Sequence, residues 1–177
     1  DPAAINVLLF FQPAEENGGG AREIIKTGIL EETTAIFAAH VSHHYCVGEI
    51  MIGHGTVTAQ SDRFEINITG KGGHGARPHE ATDAVIIASS LINTIQTLVS
   101  REVDPLHPSV VTIGKVSAGT APNVIAETAR LSGSIRTTLP STRKRIFNGL
   151  KRMAAAFEVL HDAKVELTIN EGYPPVV

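Results

Sequence analysis

The order of two hydrophobic patterns between residues 62 and 170 restricts the fold of this chain more than any other feature of its sequence. Four segments alternate apolar and polar side chains, which is typical of strands covered on one face only. Two longer segments carry apolar side chains three and four positions apart, as amphipathic helices do. The strands are predicted at residues 64–68, 110–116, 129–135 and 165–169, and the helices at 83–101 and 141–160. The order β-α-β-β-α-β predicts a ferredoxin-like domain, a four-stranded antiparallel sheet with both helices on one face.

Each predicted helix follows a residue that can cap its first turn. Thr82 or Asp83 precedes the first helix, and Ser141 precedes the second. Their side-chain oxygens can accept a hydrogen bond from the otherwise unpaired N–H groups there.

The first 55 residues follow a different pattern. Residues 5–11, INVLLFF, are continuously apolar apart from Asn6, and residues 35–41 read AIFAAHV. Such runs predict strands buried on both faces, as in a parallel sheet with helices on either side. A short helix over residues 21–26, ending at Gly28, is expected between them. The chain as a whole is therefore predicted to be of the α/β class.

Composition excludes several classes of function. Fifteen Lys and Arg against 18 Asp and Glu give a net charge of -3, and no basic run is present, so a nucleic-acid partner is not expected. The single Cys46 allows neither an internal disulfide nor a cysteine zinc cage, which favours a reducing, cytoplasmic compartment. Residues 84–99 are interrupted by polar side chains and fall short of the roughly 20 apolar residues of a spanning helix, so no membrane partner is expected.

Two acidic residues and one histidine follow the predicted buried strands. Glu15 and Glu16 come directly after the first strand, and His40 lies at the end of the second. Loops at strand ends converge on one crevice in open α/β sheets, so one carboxylate could bind a metal while the other moves a proton. Such a pair with one histidine gives too few ligands for a complete metal site. The pattern alone favours a solvated acidic turn and a buried histidine bonded to the backbone.

A glycine-rich segment, Gly70-Lys71-Gly72-Gly73-His74-Gly75, follows the first one-faced strand. It matches G-x-G-x-x-G, but the next helix begins only near Asp83, beyond Pro78, and no acidic residue follows about twenty positions later. Nucleotide binding is therefore not expected. The segment is instead predicted to be a turn that displays His74, or simply a flexible hairpin end.

Asn123 and Arg136 flank one predicted loop and strand. Arginine can bind a carboxylate with two hydrogen bonds, and asparagine can donate an amide N–H to an oxyanion. An arginine on the open face of a sheet is also commonly just solvated, so both interpretations stay open.

Several linked motifs resemble the metal-dependent aminoacylase and hippurate hydrolase family of amidohydrolases. This family includes plant indole-acetyl-amino-acid hydrolases and is related to carboxypeptidase G. The resemblance extends over nearly all 177 residues. Its motifs are FQPAEENGGGAREIIKTGIL, AIFAAHV, GKGGHGARPHEATDA, SREVDPL and GTAPNVIAETARLSGSIRT.

The resemblance implies a homodimeric hydrolase of N-acyl amino acids with two divalent metal ions, such as zinc or manganese. By motif, Glu15 would be the general base, and Glu16 and His40 would be metal ligands. His74 would reach the partner subunit's active site and stabilise the oxyanion. Asn123 and Arg136 would hold the substrate's carboxylate.

The resemblance also divides the chain into three parts. Residues 1–56 would be part of a catalytic α/β domain, residues 57–170 a lid and dimerisation domain, and residues 171–177 the start of the return to the catalytic domain. The family's His-x-Cys-Gly-His-Asp motif and its C-terminal histidine ligand do not occur in these 177 residues, and Ser42-His43-His44-Tyr45 replaces a proline-rich stretch. We therefore expect a piece of a longer enzyme, inactive alone. The alternative is a non-catalytic dimerisation or binding module.

Overall fold

A computed structural model of the chain describes residues 6–14 and 19–176. It divides the chain into two units, Asp1–Met51 and Ile52–Val177. The predicted boundaries near residues 56 and 170 remain predictions.

In the first unit, the described residues form one helix, α1, Gly20–Lys26. It ends as expected: Thr27 N–H donates to the carbonyl of Ile24, and Gly28 follows with a left-handed φ of 72°. That conformation is favourable for glycine just beyond a helix.

The two buried strands predicted for this unit are not formed. Residues 6–11 and 35–41 pair with no strand among the described residues, and Val7, Phe11, Phe37 and Val41 are 78%, 91%, 97% and 92% exposed. A strand buried on both faces needs neighbouring strands and helices over both faces. The described part of this unit provides only one seven-residue helix, so the apolar runs have nothing to pair with.

The second unit has the predicted ferredoxin-like topology, which confirms the α/β class. Its main sheet has the order β3-β5-β1-β6, and all neighbours are antiparallel. These strands are β1 Gln60–Thr69, β3 Ser109–Ala118, β5 Thr128–Thr137 and β6 Lys164–Asn170. A separate two-stranded ribbon pairs β2, Gly73–His74, with β4, Val124–Ile125. The helices are α2 Ala84–Thr97 and α3 Pro140–His161, with a 3₁₀ turn at Pro78–Glu80 and a π-helical turn at Leu98–Glu102.

One hydrophobic core lies between this sheet and its two helices. Alternate residues of β1 and β5 point into it, and the opposite side of these two strands carries polar residues. The most buried side chains include Phe64, Ile66, Leu91, Leu131 and Leu150. The open face of the sheet, directed away from the helices, carries Arg63, Glu65, Asn67, Lys115, Arg130 and Arg136.

The two helices begin differently. Asp83 caps α2 as predicted, because its Oδ1 accepts a hydrogen bond from Val85 N–H at 2.8 Å. The predicted Ser141 cap of α3 is wrong: Leu139 is the N-cap, without a side-chain hydrogen bond, and Pro140 opens the helix. Proline suits that position because its fixed φ matches a helix and its missing N–H is not needed there.

One helix in the described part of the chain, Ala84–Glu102, is long and apolar enough by composition to cross a membrane. Core helices meet the same criterion. In this helix Ala84, Leu91 and Ile95 are fully buried among the residues of the core.

The side chain of Phe64 lies very close to the backbone of the neighbouring strand in the sheet. The ring of Phe64 lies against Gly133 on the neighbouring strand β5, where a Cβ atom would come within 2.4 Å of the ring and 2.3 Å of the Thr112 carbonyl oxygen. Glycine at residue 133 therefore makes room for the largest buried side chain of β1.

A buried ion pair connects β1 to α3. Asp62 is fully buried, and Arg143 of α3 donates two hydrogen bonds to it, at 3.0 Å and 2.6 Å. Gly172 N–H donates to the same carboxylate at 2.8 Å. Nearby, Val57 N–H donates to the Val176 carbonyl at 2.8 Å. The first and last described segments of this unit therefore lie side by side, as the ends of a compact domain often do.

Candidate functional site

The glycine-rich segment that displays His74 forms a paired ribbon rather than a phosphate-binding loop. Gly70 N–H donates to the Glu127 carbonyl at 2.8 Å, Lys71 N–H to Thr82 at 3.0 Å, and Gly75 N–H to Asn123 at 2.9 Å. A phosphate site needs such N–H groups free and the start of a helix behind them. The segment therefore does not have the structure of a nucleotide fingerprint.

His74 is exposed on this ribbon, as the sequence predicts. Its Nδ1 accepts a hydrogen bond from Ala76 N–H at 3.1 Å. In the neutral ring the proton then lies on Nε2, which makes no hydrogen bond to the described residues. The imidazole can therefore offer an N–H to a group outside this unit.

Asn123 lies beside His74, because β2 and β4 bring the two segments together. His74 and Val124 are direct partners in the ribbon, and Asn123 precedes Val124. A Cβ atom at residue 75 would lie 2.9 Å from the Asn123 carbonyl oxygen, so glycine at this position permits the close approach. The two residues are about fifty positions apart in the sequence, and the ribbon joins them.

An open groove of about 910 Å³ runs from this ribbon onto the open face of the sheet. His74 and Asn123 line one part of it. The ends of β1, β3 and β5 contribute polar side chains to the rest, including Asn67, Ser117 and Arg130. Lys71 and Glu127 add one charge of each sign. The groove thus offers hydrogen-bond donors and cations to a polar ligand.

Arg136 lies far from this groove. It is exposed and sits opposite Ser61 and Val110, whereas Thr128, at the groove, begins the same strand. At the usual rise per residue of a strand these two ends are about 25 Å apart. Within one chain, therefore, Arg136 does not meet His74 and Asn123.

The structure describes only one of the three site residues predicted in the first unit. Glu15 and Glu16 lie outside the described residues, and His40 is exposed. No group of three or more His, Cys, Asp or Glu side chains in the described ranges could hold a metal ion. The described residues by themselves therefore do not complete a metal centre.

Sequence patterns missed one charged contact, which joins two residues of the groove to Glu65 beside it. Arg130 Nη2 donates to Glu65 Oε2, and Asn67 Nδ2 donates to Glu65 Oε1 at 3.1 Å. The hydrogen bond from Arg130 and then that from Asn67 lower the pKa of Glu65 below its ordinary value. Alternation along the strands puts all three residues on the open face, but only the register between β1 and β5 brings them into contact.

Comparison with known proteins places this fold in a family. Residues 59–160 match the family described as the M20 peptidase dimerisation domain. N-acetyldiaminopimelate deacetylase of Listeria monocytogenes is 41% identical over 174 residues, which are 97% of this chain and 47% of that protein. The Priestia megaterium protein of the same name is 42% identical over 173 residues, with 97% of this chain and 46% of the relative covered. The chain thus spans about half the length of these relatives.

Solved structures agree with the sequence comparison. A candidate aminohydrolase from methicillin-resistant Staphylococcus aureus superposes with a TM-score of 0.88 and 32% identity, covering 93% of this chain and 44% of the other. The YXEP protein of Bacillus subtilis, described as a dinuclear metal binding peptidase, gives a TM-score of 0.72 at 32% identity, covering 94% and 41%.

Proposed function

Because this chain belongs to the M20 peptidase family through its dimerisation domain, we propose that it is part of a metal-dependent amidohydrolase that cleaves N-acyl amino acids. The observation that carries the proposal is His74, an exposed imidazole with a free Nε2 position, next to Asn123 on a polar groove of that domain. Relatives named as deacetylases support an amide with a small acyl group, N-acetyldiaminopimelate being one such substrate.

The proposed roles divide the chemistry among four residues. Glu15 accepts a proton from the attacking water. His74 donates its Nε2–H to the oxyanion that develops on the amide oxygen, a contribution that is strongest where donors are held in place in advance. Asn123 and Arg136 bind the carboxylate of the amino acid, Arg136 through its two-pronged guanidinium.

Two divalent metal ions complete this proposal. Glu16 and His40 would each supply one ligand, with the other ligands from a part of the enzyme outside these 177 residues. When bound, the ions supply Lewis-acid polarisation of the amide and acidify a water. The neighbour described as a dinuclear metal binding peptidase supports this part of the proposal.

Because Arg136 and His74 are far apart within one chain, we expect two subunits to share each active site. Since about 25 Å of strand separates the two ends of the sheet, one small substrate cannot contact both residues of the same chain. In a homodimer, Arg136 of one subunit and His74 of the partner subunit can meet on one substrate. The family's dimerisation domain supports such an arrangement.

The test compares this chain with a form extended to its natural flanks. Both are assayed on a panel of N-acyl amino acids with added Mn²⁺ or Zn²⁺ and after chelation. The proposal expects hydrolysis by the extended form only, lost with chelator and lost in Glu15→Gln. If both forms fold and dimerise but neither cleaves any substrate under any metal condition, a non-catalytic dimerisation module is the better explanation.

A further inference from the structure

Arg130 occupies a position in the groove that the proposed chemistry does not use. In the register of the sheet it lies between Ser117 on β3 and Asn67 on β1, and all three line the groove that also holds His74 and Asn123. Arg136, on the same face of β5, is about 20 Å further along the strand. Among the arginines that the structure describes, Arg130 is thus the one that lines the same groove as His74.

The guanidinium of Arg130 is held in place but keeps free donors. Nη2 is bonded to Glu65, whose other oxygen accepts from Asn67. Nε and Nη1 of Arg130 make no hydrogen bond to the described residues. The Arg130 side chain is 60% exposed and that of Glu65 only 28%. Glu65 can therefore orient the guanidinium while two of its nitrogens remain open to a ligand.

The spacing between the ribbon and Arg130 limits the size of that ligand. Ile125, the partner of Gly73, is separated from Arg130 by at most about 17 Å of extended backbone. The side chains of His74 and Arg130 cover part of this gap. This upper limit, together with the groove that both side chains line, allows one elongated ligand of amino-acid size to contact both.

We propose that Arg130, positioned by Glu65, is a specificity residue that binds a second carboxylate, at the side-chain end of the substrate. This deepens the proposed function and rests on it: the preferred substrates are N-acyl amino acids whose side chains carry a carboxylate. A guanidinium suits this task because Nη2 carries two N–H groups. While one of them is bonded to Glu65, the other can join Nη1 or Nε in binding a carboxylate through two parallel hydrogen bonds.

The test uses two substrates of equal chain length in the full-length, metal-loaded enzyme. N-acetyl-2-aminopimelate has the second carboxylate, and N-acetyl-2-aminoheptanoate has a methyl group in its place. Variants are Arg130→Met and the matched control Arg63→Met, which removes another open-face arginine that does not line the groove. The Arg130→Lys variant keeps the charge without the two-pronged geometry.

The proposal expects Arg130→Met to lower kcat/KM for the diacid by about tenfold or more, while the value for the neutral substrate stays within about twofold. Arg130→Lys should recover part of the loss, and Arg63→Met should change neither value. Three results would overturn the proposal. They are equal losses of kcat/KM on both substrates in Arg130→Met, an effect of Arg63→Met as large as that of Arg130→Met, and a wild type that does not prefer the diacid.

A binding measurement separates this proposal from the proposed function. Calorimetry of 2-aminopimelate with the same wild-type and Arg130→Met proteins should show weaker binding in the variant by about tenfold. If neither substrate is hydrolysed but this difference is found, the hydrolase proposal fails and the carboxylate receptor stands. Equal binding to both proteins refutes the receptor.

Discussion

Glu65 illustrates how a single residue on the open face depends on its neighbours. The hydrogen bond from Arg130 is the largest cause that lowers the pKa of Glu65 from its ordinary 4.5, and the bond from Asn67 is the next. A lowered folded-state pKa stabilises the folded protein above the unfolded pKa, and this contribution is lost as pH falls through the lowered value.

We expect Arg130→Met to raise the pKa of Glu65 towards its ordinary value, since the main stabilising partner of the charged form is removed. An NMR titration of the Glu65 carboxyl carbon measures this shift, with Arg63→Met as the control. An unchanged pKa in Arg130→Met would mean that the contact does not persist in solution.

At this scale, the sequence indicated which residue types could do chemistry but not which of them meet. Period-two alternation puts Glu65, Arg130 and Arg136 on one face, because successive side chains of a strand point to opposite sides. Contact between Glu65 and Arg130 depends on strand register, which has no signature in either strand alone. The neighbourhood of His74 and Asn123 likewise depends on a ribbon of only two residues per strand.

At the scale of elements, the contact between Phe64 and Gly133 ties β1 to β5. Replacing Gly133 by alanine places a Cβ atom about 2.4 Å from the Phe64 ring, so ring or strand must shift. Overpacking of this kind costs about 1–3 kcal/mol. Urea denaturation of Gly133→Ala should show this loss, whereas Gly114→Ala, where a Cβ atom would meet nothing within 4 Å, should stay close to wild type. Equal stability of the two variants would contradict this tight packing of ring against backbone.

The ion pair of Asp62 and Arg143 connects the sheet to α3. Arg143→Met would leave a fully buried carboxylate with the Gly172 N–H as its remaining described partner. Removing one member of a buried pair costs about 3–5 kcal/mol. Arg145→Met, which removes a single exposed hydrogen bond to the Glu102 carbonyl, should change the free energy of unfolding by less than about 0.5 kcal/mol. Similar thermal unfolding of the two variants would show that the pair is dispensable.

The elements of the second unit could be predicted because each carries its own pattern. A one-faced strand or helix records in its sequence which side is buried, and six such elements in this order fit few folds. The apolar runs at residues 5–11 and 35–41 carry no such information: a strand buried on both faces depends on partners that its own sequence does not specify. Helix α3 begins before Ser141 because Pro140 can open a helix without a side-chain cap.

At the scale of the whole molecule, the second unit brings its first and last segments together. Val57 and Val176 are hydrogen-bonded, and Gly172 N–H donates to Asp62, so these segments lie side by side. Arg136 lies on β5 at this end of the sheet, and His74 lies at the other end. Arg136 and His74 therefore lie at opposite ends of this unit, which is the observation behind the proposed shared site.

The shared site is the central claim, and mixing two inactive variants tests it most directly. In the full-length enzyme, His74→Ala and Arg136→Ala should each be nearly inactive. After dissociation and random reassociation of equal amounts, half of the dimers contain one copy of each variant, and each mixed dimer has one intact site, so about one quarter of wild-type activity should return. If the mixture stays as inactive as its components although mixed dimers form, His74 and Arg136 act on the substrate from the same chain, and the shared site does not exist.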